Sequence, residues 1–207
     1  MSYMKNVRYA IKFLFVIVLL FSGCAYQTPL RNDYVATNPP LFQSNSLKEK
    51  RVILVMDSYL KNYCLTKSVY NWAGGNLTPD QVTFEIGPAL TKEISNLCKT
   101  LFGSVKEVSN FKRAKEETGE SIHLIIVPEI SNAEIFFPSV RFADIKAEIA
   151  VKYSIYNFSG NLINMEVVLG KGTKQLTFTR KNYQLAMESA LKDLMLKSNT
   201  VLLEVLK

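Results

Sequence analysis

The stretch Ala143-Asp-Ile-Lys-Ala-Glu-Ile-Ala-Val-Lys-Tyr-Ser-Ile155 alternates apolar and polar side chains over most of its length. Successive side chains of a strand point to opposite faces of a sheet. The alternation therefore predicts a long strand with one face on a core and the other in water. Residues 157–161, which include Gly160, predict a hairpin turn. Residues 162 to about 178 predict the returning strand, in which Gly170 and Gly172 indicate a bulge or a close backbone approach.

Four further strands are predicted upstream of this hairpin. Residues 52–56 are continuously apolar, as in a strand buried on both faces. Residues 82–86 alternate, and residues 105–108 form a short apolar segment. Residues 122–130 are apolar but contain Pro128, which favours an edge or a bulge.

Two helices complete the predicted fold. Apolar residues recur at helical spacing after Pro88 and stop before Gly103. A second apolar stripe runs from about Asn182 to Val205. Strands and helices in this order predict an α+β fold, a two-layer sandwich with a mainly antiparallel sheet and the two main helices on one face.

The first residues have the layout of a secretory signal. Lys5, Arg8 and Lys12 precede the uninterrupted apolar run 13–21, and no acidic residue lies among them. A membrane-spanning helix needs roughly 18 or more apolar residues, whereas this run has nine. A short apolar core behind a basic start predicts a segment that is recognised for export and then removed.

The sequence Phe21-Ser-Gly-Cys24 resembles the lipobox of bacterial lipoproteins, with Phe21 where Leu is usual. The resemblance implies a diacylglycerol on the Cys24 thiol, cleavage before it and, in general, a further acyl chain such as palmitate on the new amino group. Two acyl chains anchor a protein stably where one does not. By the same resemblance, Ala25 directly after the cysteine, in place of Asp, implies the outer membrane facing the periplasm. Two alternatives stay open, namely ordinary cleavage after Ala25 and an uncleaved anchor.

These features predict three regions: a signal peptide over 1–23, the lipidated cysteine and a flexible tether over 24–50, and one α+β periplasmic domain over 51–207. Residues 25–50 contain three prolines and show no helical or strand period. The net charge is +7, and three of the positive charges lie within residues 1–23. No block of five or more basic residues occurs, so a nucleic-acid partner is not expected.

The search for catalytic and metal-binding groups gives no candidate. Cys64 and Cys98 are too far apart in sequence for a zinc-type pair. Oxidising conditions permit a disulfide between them, and two separate thiols are the alternative. The single histidine, His123, is expected to pack in a strand. We therefore expect no metal, no cofactor and no enzymatic activity.

Two aromatic segments are candidates for partner binding. Phe136 and Phe137 lie between two predicted strands, with Phe142 nearby, and exposed apolar loop residues mark partner or membrane contacts. The connection from Tyr59 to Trp72 is also rich in aromatic residues, which are enriched at interfaces. The alternative for both segments is that their rings belong to the core.

In its order of elements the chain resembles two families of small outer-membrane lipoproteins, the lipopolysaccharide-assembly lipoproteins and the YajG-like lipoproteins. The likeness rests on the lipobox, the helix 88–102, the strand pair around Gly160 and the closing helix from Asn182. It implies a non-enzymatic accessory or adaptor protein of the cell envelope, held to the membrane by lipid, with an envelope protein as partner. A lipid or glycolipid carrier and an enzyme of unknown class are the alternatives, and the sequence identifies no small-molecule ligand.

Overall fold

The computed structural model describes residues 25–42, 47–69, 80–117, 122–137, 144–175 and 181–206. The chain divides into two compact units, one formed by Met1–Gln27 with Thr66–Thr83 and the other by Thr28–Leu65 with Phe84–Lys207. The signal segment and Cys24 lie outside the described residues. None of the helices in the described ranges is long and apolar enough to span a membrane.

Eight strands and five helices are present in the described ranges. The strands are β1 (Ala25–Pro29), β2 (Arg51–Val55), β3 (Cys64–Val69), β4 (Asp80–Glu85), β5 (Ser104–Val108), β6 (Leu124–Phe136), β7 (Asp144–Asn157) and β8 (Leu162–Gln175). The helices are α1 (Tyr34–Thr37), α2 (Ser58–Lys61), α3 (Ile86–Leu101), α4 (Phe111–Glu116) and α5 (Lys181–Val205). The predicted hairpin is β7–β8, and the two main helices are α3 and α5.

The strands form two sheets. A small sheet has the order β1-β4-β3, and a large sheet has the order β5-β2-β6-β7-β8. In the large sheet β2 is parallel to its neighbours β5 and β6. The pairs β6–β7 and β7–β8 are antiparallel. The α+β sandwich is confirmed, with a mixed large sheet. The predicted strand over 82–86 is also present, but as β4 it joins the small sheet.

Both main helices lie on the same face of the large sheet. Ser95 of α3 donates to the Glu107 carboxylate of β5, and Glu107 is in register with Leu54. Leu54 is in turn in register with Ile126, and Ile126 with Ile155. Tyr153, two residues before Ile155, donates to the Ser198 hydroxyl of α5 at 3.0 Å. Since residues two apart share a strand face, α3 and α5 cover one face, as the sequence predicts.

Among the described residues, a helix covers the opposite face of the large sheet at one end. Ile53, Val55, Val108, Ile125 and Ala114 of α4 form a buried apolar cluster there. This cluster explains why residues 52–55 of β2 are all apolar, because their side chains are buried on both faces of the sheet. Residues of β8 lie at the other end of the same face.

The segment predicted as a flexible tether is folded onto the domain over residues 28–42 and 47–50. Val35 and Phe42 are each only 1% exposed. Two helix carboxylates bind backbone amides of the segment, in addition to the hydrogen bonds within its own short turns. The Arg31 amide donates to Glu188 at 3.0 Å, and the Val35 amide donates to Glu93 at 2.9 Å. The described part therefore belongs to the compact unit that begins at Thr28.

Helix α5 packs unusually close to β8 at two glycines. A Cβ atom at Gly170 would lie 2.3 Å from the Ala190 carbonyl oxygen, and one at Gly172 would lie 2.0 Å from that of Ala186. Only glycine permits this approach. The register between β7 and β8 shifts near Tyr156 instead, so the two glycines mark close approach and no bulge.

Candidate functional site

Phe136 and Phe137 have different environments at the end of β6. Phe136 is 44% exposed. Phe137 is half-buried, and its ring meets Tyr183 of α5 edge-on with centroids 5.0 Å apart. The partner-binding interpretation is thus compatible with Phe136, whereas Phe137 supports the position of the exposed ring. Phe142 lies outside the described residues.

The second aromatic candidate is described only in part, because Trp72 lies outside the described ranges. Tyr59, on the short helix α2, is 65% exposed. Its ring stacks edge-on against Tyr63 with centroids 5.8 Å apart. The two rings form a small surface pair. Among the described residues, no ring contact joins this pair to Phe136.

The two cysteines within the described residues are both free thiols, so the disulfide alternative is not realised in the structure. Cys64 is exposed at the start of β3. Cys98 is completely buried on α3, and burial raises the pKa of its thiol to about 12. A thiol held in its neutral form is a poor nucleophile. Cys98 therefore acts as a small apolar core residue.

His123 is an exposed residue just before β6, contrary to the expectation that it packs inside a strand. Its Nδ1 atom accepts a hydrogen bond from the Arg51 amide at 3.1 Å, and its own amide donates to the Arg51 carbonyl at 2.9 Å. The imidazole thus extends the pairing between β2 and β6 by one step. Within the described ranges no cluster of His, Cys, Asp and Glu has the arrangement of a metal site.

Glu93 is a charged group buried inside the domain. Its side chain is 0% exposed, and burial raises the pKa of its carboxyl group. One carboxyl oxygen binds the Val35 amide, and the other has no hydrogen-bond partner among the described residues. Glu93 therefore holds the N-terminal segment on α3 at the cost of a poorly solvated carboxylate.

The largest exposed apolar surface among the described residues lies on the β7–β8 turn and the first half of β8, which we call the β8 patch. Its members are 50–60% exposed: Phe158, Leu162, Ile163, Met165 and Val167. Met165 and Val167 are in register with Ser154 and Lys152, so they lie on the face opposite α5. Contiguous exposed apolar residues of this kind mark interaction sites.

The second half of β8 is protected where the first half is not. Lys197 of α5 donates to the Leu169 carbonyl at 3.0 Å, and Asp193 accepts from the Lys171 amide at 2.8 Å. Asn182 likewise donates to the Gln175 carbonyl at 3.1 Å. These bonds occupy three of the outward-facing backbone groups of this edge strand, and such groups otherwise pair readily with another chain.

Sequence reasoning finds β8 as a strand but misses its exposed patch. A usable signal is present, because residues 158–168 contain one charged residue, Glu166, whereas residues 169–175 contain two lysines. Edge strands that avoid association carry charges, especially lysine. This difference in charge identifies the unprotected half of β8, but only once the structure shows that β8 is an edge strand.

Comparison with known proteins identifies a fold and no family. No family model matches the chain, and no curated protein matches it either. A Xanthomonas campestris protein of the DUF330 family has a similar structure, with a TM-score of 0.50 at 8% identity over 88% of this chain and 96% of that one. A minor lipoprotein from Acinetobacter baumannii aligns at a TM-score of 0.38 and 9% identity, covering 76% of this chain and 90% of the other. The first likeness shows a shared fold.

Proposed function

We propose that the protein is a lipid-anchored adaptor of the bacterial cell envelope that binds another protein and performs no chemistry. Its anchor is the lipid on Cys24, and its membrane is the outer membrane facing the periplasm. The proposal combines the lipobox in the sequence with an exposed aromatic residue on a rigid part of the domain.

The observation that carries the adaptor role is the exposed ring of Phe136 beside the Phe137–Tyr183 pair. Aromatic residues are enriched among the few side chains that dominate protein interfaces. Phe136 ends a thirteen-residue strand, and Phe137 is held against α5, so the exposed ring is positioned before a partner arrives. Such preorganisation lowers the entropy that binding costs.

The structure gives the lipid-carrier alternative no comparable support. A carrier of this fold needs an apolar groove between helix and sheet. Side chains on the inner surfaces of α5 and β7 are instead fully buried, including Met187, Leu191 and Tyr153. At Gly170 and Gly172 the helix approaches the strand too closely for any side chain, and therefore for an acyl chain.

The adaptor role is tested by affinity purification from detergent-solubilised membranes. Wild type is compared with Phe136→Asp, and Tyr59→Asp serves as the matched control because Tyr59 is an exposed ring elsewhere. We expect one discrete protein to accompany wild type and Tyr59→Asp and to be lost from Phe136→Asp. Equal recovery with all three chains, or recovery with none, contradicts the proposal.

The anchor is tested separately with Cys24→Ala. Because lipid on the thiol is the proposed membrane attachment, we expect this variant to incorporate no labelled palmitate and to leave the membrane fraction. Cys64→Ser is the control, since it removes an exposed thiol at another position. Unchanged palmitate labelling of Cys24→Ala contradicts the lipobox interpretation.

A further inference from the structure

We infer that the β8 patch is the contact between two copies of this chain, formed when the first half of β8 pairs antiparallel with the same strand of a second copy. The inference concerns a surface separate from Phe136 and does not depend on the adaptor role. It rests on three properties of β8: an open backbone edge, an apolar surface and a self-complementary sequence.

The open edge is short and has a defined end. Residues two apart in a strand direct their backbone groups to the same side, so Val167 faces outward like Leu169 and Lys171. The latter two bind Lys197 and Asp193, whereas the Val167 amide and carbonyl have no outward partner among the described residues. The Met165 amide donates to the side chain of the adjacent Asn164 at 2.7 Å. An incoming strand can therefore pair with residues 163–167, of which Ile163 is the extra residue where the register between β7 and β8 shifts, and is stopped at 169.

The chemistry of this edge suits a second copy. A two-fold axis through Met165 places Ile163 opposite Val167, so two exposed apolar side chains meet. The same axis places Glu166 opposite Asn164, whose amide can donate to the carboxylate. Such cross-strand pairs stabilise a sheet, whereas like charges placed directly opposite destabilise it. An axis through Glu166 itself would oppose two carboxylates and bring Ile163 against the occupied Leu169.

The interface proposed here is small. The paired segment of each copy contributes three side chains that are at least half exposed, Ile163, Met165 and Val167. An interface of this size buries less than about 1,000 Å², which is typical of weak, reversible association. Symmetric contacts between identical patches are the commonest form of homo-oligomer. The product is a continuous sheet across the two copies.

Single-cysteine crosslinking in membranes tests the inference at the level of register. The full chain carries Cys64→Ser to remove the exposed thiol, while Cys98 stays because it is buried. Met165→Cys is expected to form a reducible dimer, because residue 165 lies opposite itself. Ile163→Cys and Val167→Cys are each expected to crosslink poorly alone and well when the two variants are coexpressed. Tyr59→Cys, an exposed control, is expected to stay monomeric.

A second measurement does not depend on crosslinking chemistry. Val167→Lys places a charge on the open edge, and we expect it to weaken dimerisation at least about tenfold in sedimentation of the detergent-solubilised chain. A wild-type chain that sediments as a monomer, or Met165→Cys that crosslinks no better than Tyr59→Cys, overturns the inference. A Met165→Cys adduct with the mass of a different protein also overturns it and assigns the β8 patch to that protein.

Discussion

The two halves of β8 belong to one strand and one sheet, yet they meet opposite conditions at their outer edge. In the second half, α5 approaches so closely that Gly170 and Gly172 have no room for a side chain, and Asp193 and Lys197 bind the backbone. In the first half the backbone is open and Val167 is 60% exposed. The difference teaches that a strand edge is protected by the element packed beside it, and that apolar residues left beyond that element are available to another molecule.

The largest expected effect comes from adding a side chain to the protected half. Gly172→Val drives Cβ into the Ala186 carbonyl and displaces α5, so we expect a loss of about 3 kcal/mol or more in the free energy of unfolding. Urea unfolding of the detergent-solubilised chain measures it. Thr173→Val, at the exposed neighbouring position, is the control and should change stability little.

A smaller change in the free energy of unfolding is expected at Glu93. Its carboxylate binds the backbone of the N-terminal segment, just as side chains of α5 bind the backbone of the second half of β8. Burial raises the pKa of Glu93, so the folded state binds its proton more tightly than the unfolded state does. The stabilisation from this tighter proton binding is fully present below the pKa of an unfolded glutamate, about 4.3. It is lost as the pH rises through the higher pKa that Glu93 has in the folded state. Glu93→Gln should therefore be more stable than wild type at pH 8, by about 1 kcal/mol, with the difference closing as the pH falls.

Glu107 provides a control of opposite sign. Its hydrogen bond from Ser95, together with Lys99, lowers the pKa of the Glu107 carboxyl. Its carboxylate therefore contributes stability above the unfolded pKa, and that contribution is lost as pH falls through the folded value. Glu107→Gln should destabilise the protein at pH 8. A Glu93→Gln variant that behaves in the same way as Glu107→Gln would contradict the assignment of an uncompensated buried carboxylate.

The pair Asp193 and Lys197 tests the protection of the edge directly. Replacing both residues with alanine removes the partners of the Lys171 amide and the Leu169 carbonyl. Because both side chains are partly exposed, we expect a stability loss of only about 1 kcal/mol. The longer open edge should also relax the register of self-association, so that Met165→Cys crosslinks less selectively. Unchanged selectivity would show that these two residues do not end the open edge.

The smallest expected effect is that of a substitution in the open half on the stability of the monomer. Val167→Lys changes a side chain that is 60% exposed. Exposed substitutions of this kind stay within about 0.5 kcal/mol. Urea unfolding at a concentration where wild type is also monomeric measures the change. A loss comparable to that of Gly172→Val would mean that Val167 belongs to the core.

The sequence predicts the five strands of the large sheet and the two main helices because their signals are local, whereas β1 and β3 of the small sheet are not predicted. Period-two alternation marks β7, helical spacing marks α3 and α5, and the apolar run 52–56 marks a strand buried on both faces. Gly170 and Gly172 indicate a close approach without naming the helix that approaches. The candidate Phe136 is also found, since an aromatic pair between two strands stands out in the sequence.

What the sequence does not predict depends on partners far away in the chain. The segment 28–42 has no period of its own, and Glu93 and Glu188 hold it from 58 and 157 positions away. The β8 patch is missed for the same reason. The period-two pattern of β8 does not predict which of its residues are packed against α5 and which are exposed. Both features follow from tertiary packing, which supplies or withholds hydrogen-bond partners for otherwise similar backbone.

The contrast between the two halves of β8 is tested most directly by hydrogen exchange at two outward-facing amides. In the Val167→Lys variant, held monomeric, we expect the amide of residue 167 to exchange rapidly and the Lys171 amide, bound to Asp193, to be strongly protected. In wild type at concentrations that permit dimers, we expect the Val167 amide to become protected as well. Equal protection of the two amides in the monomer would contradict the account.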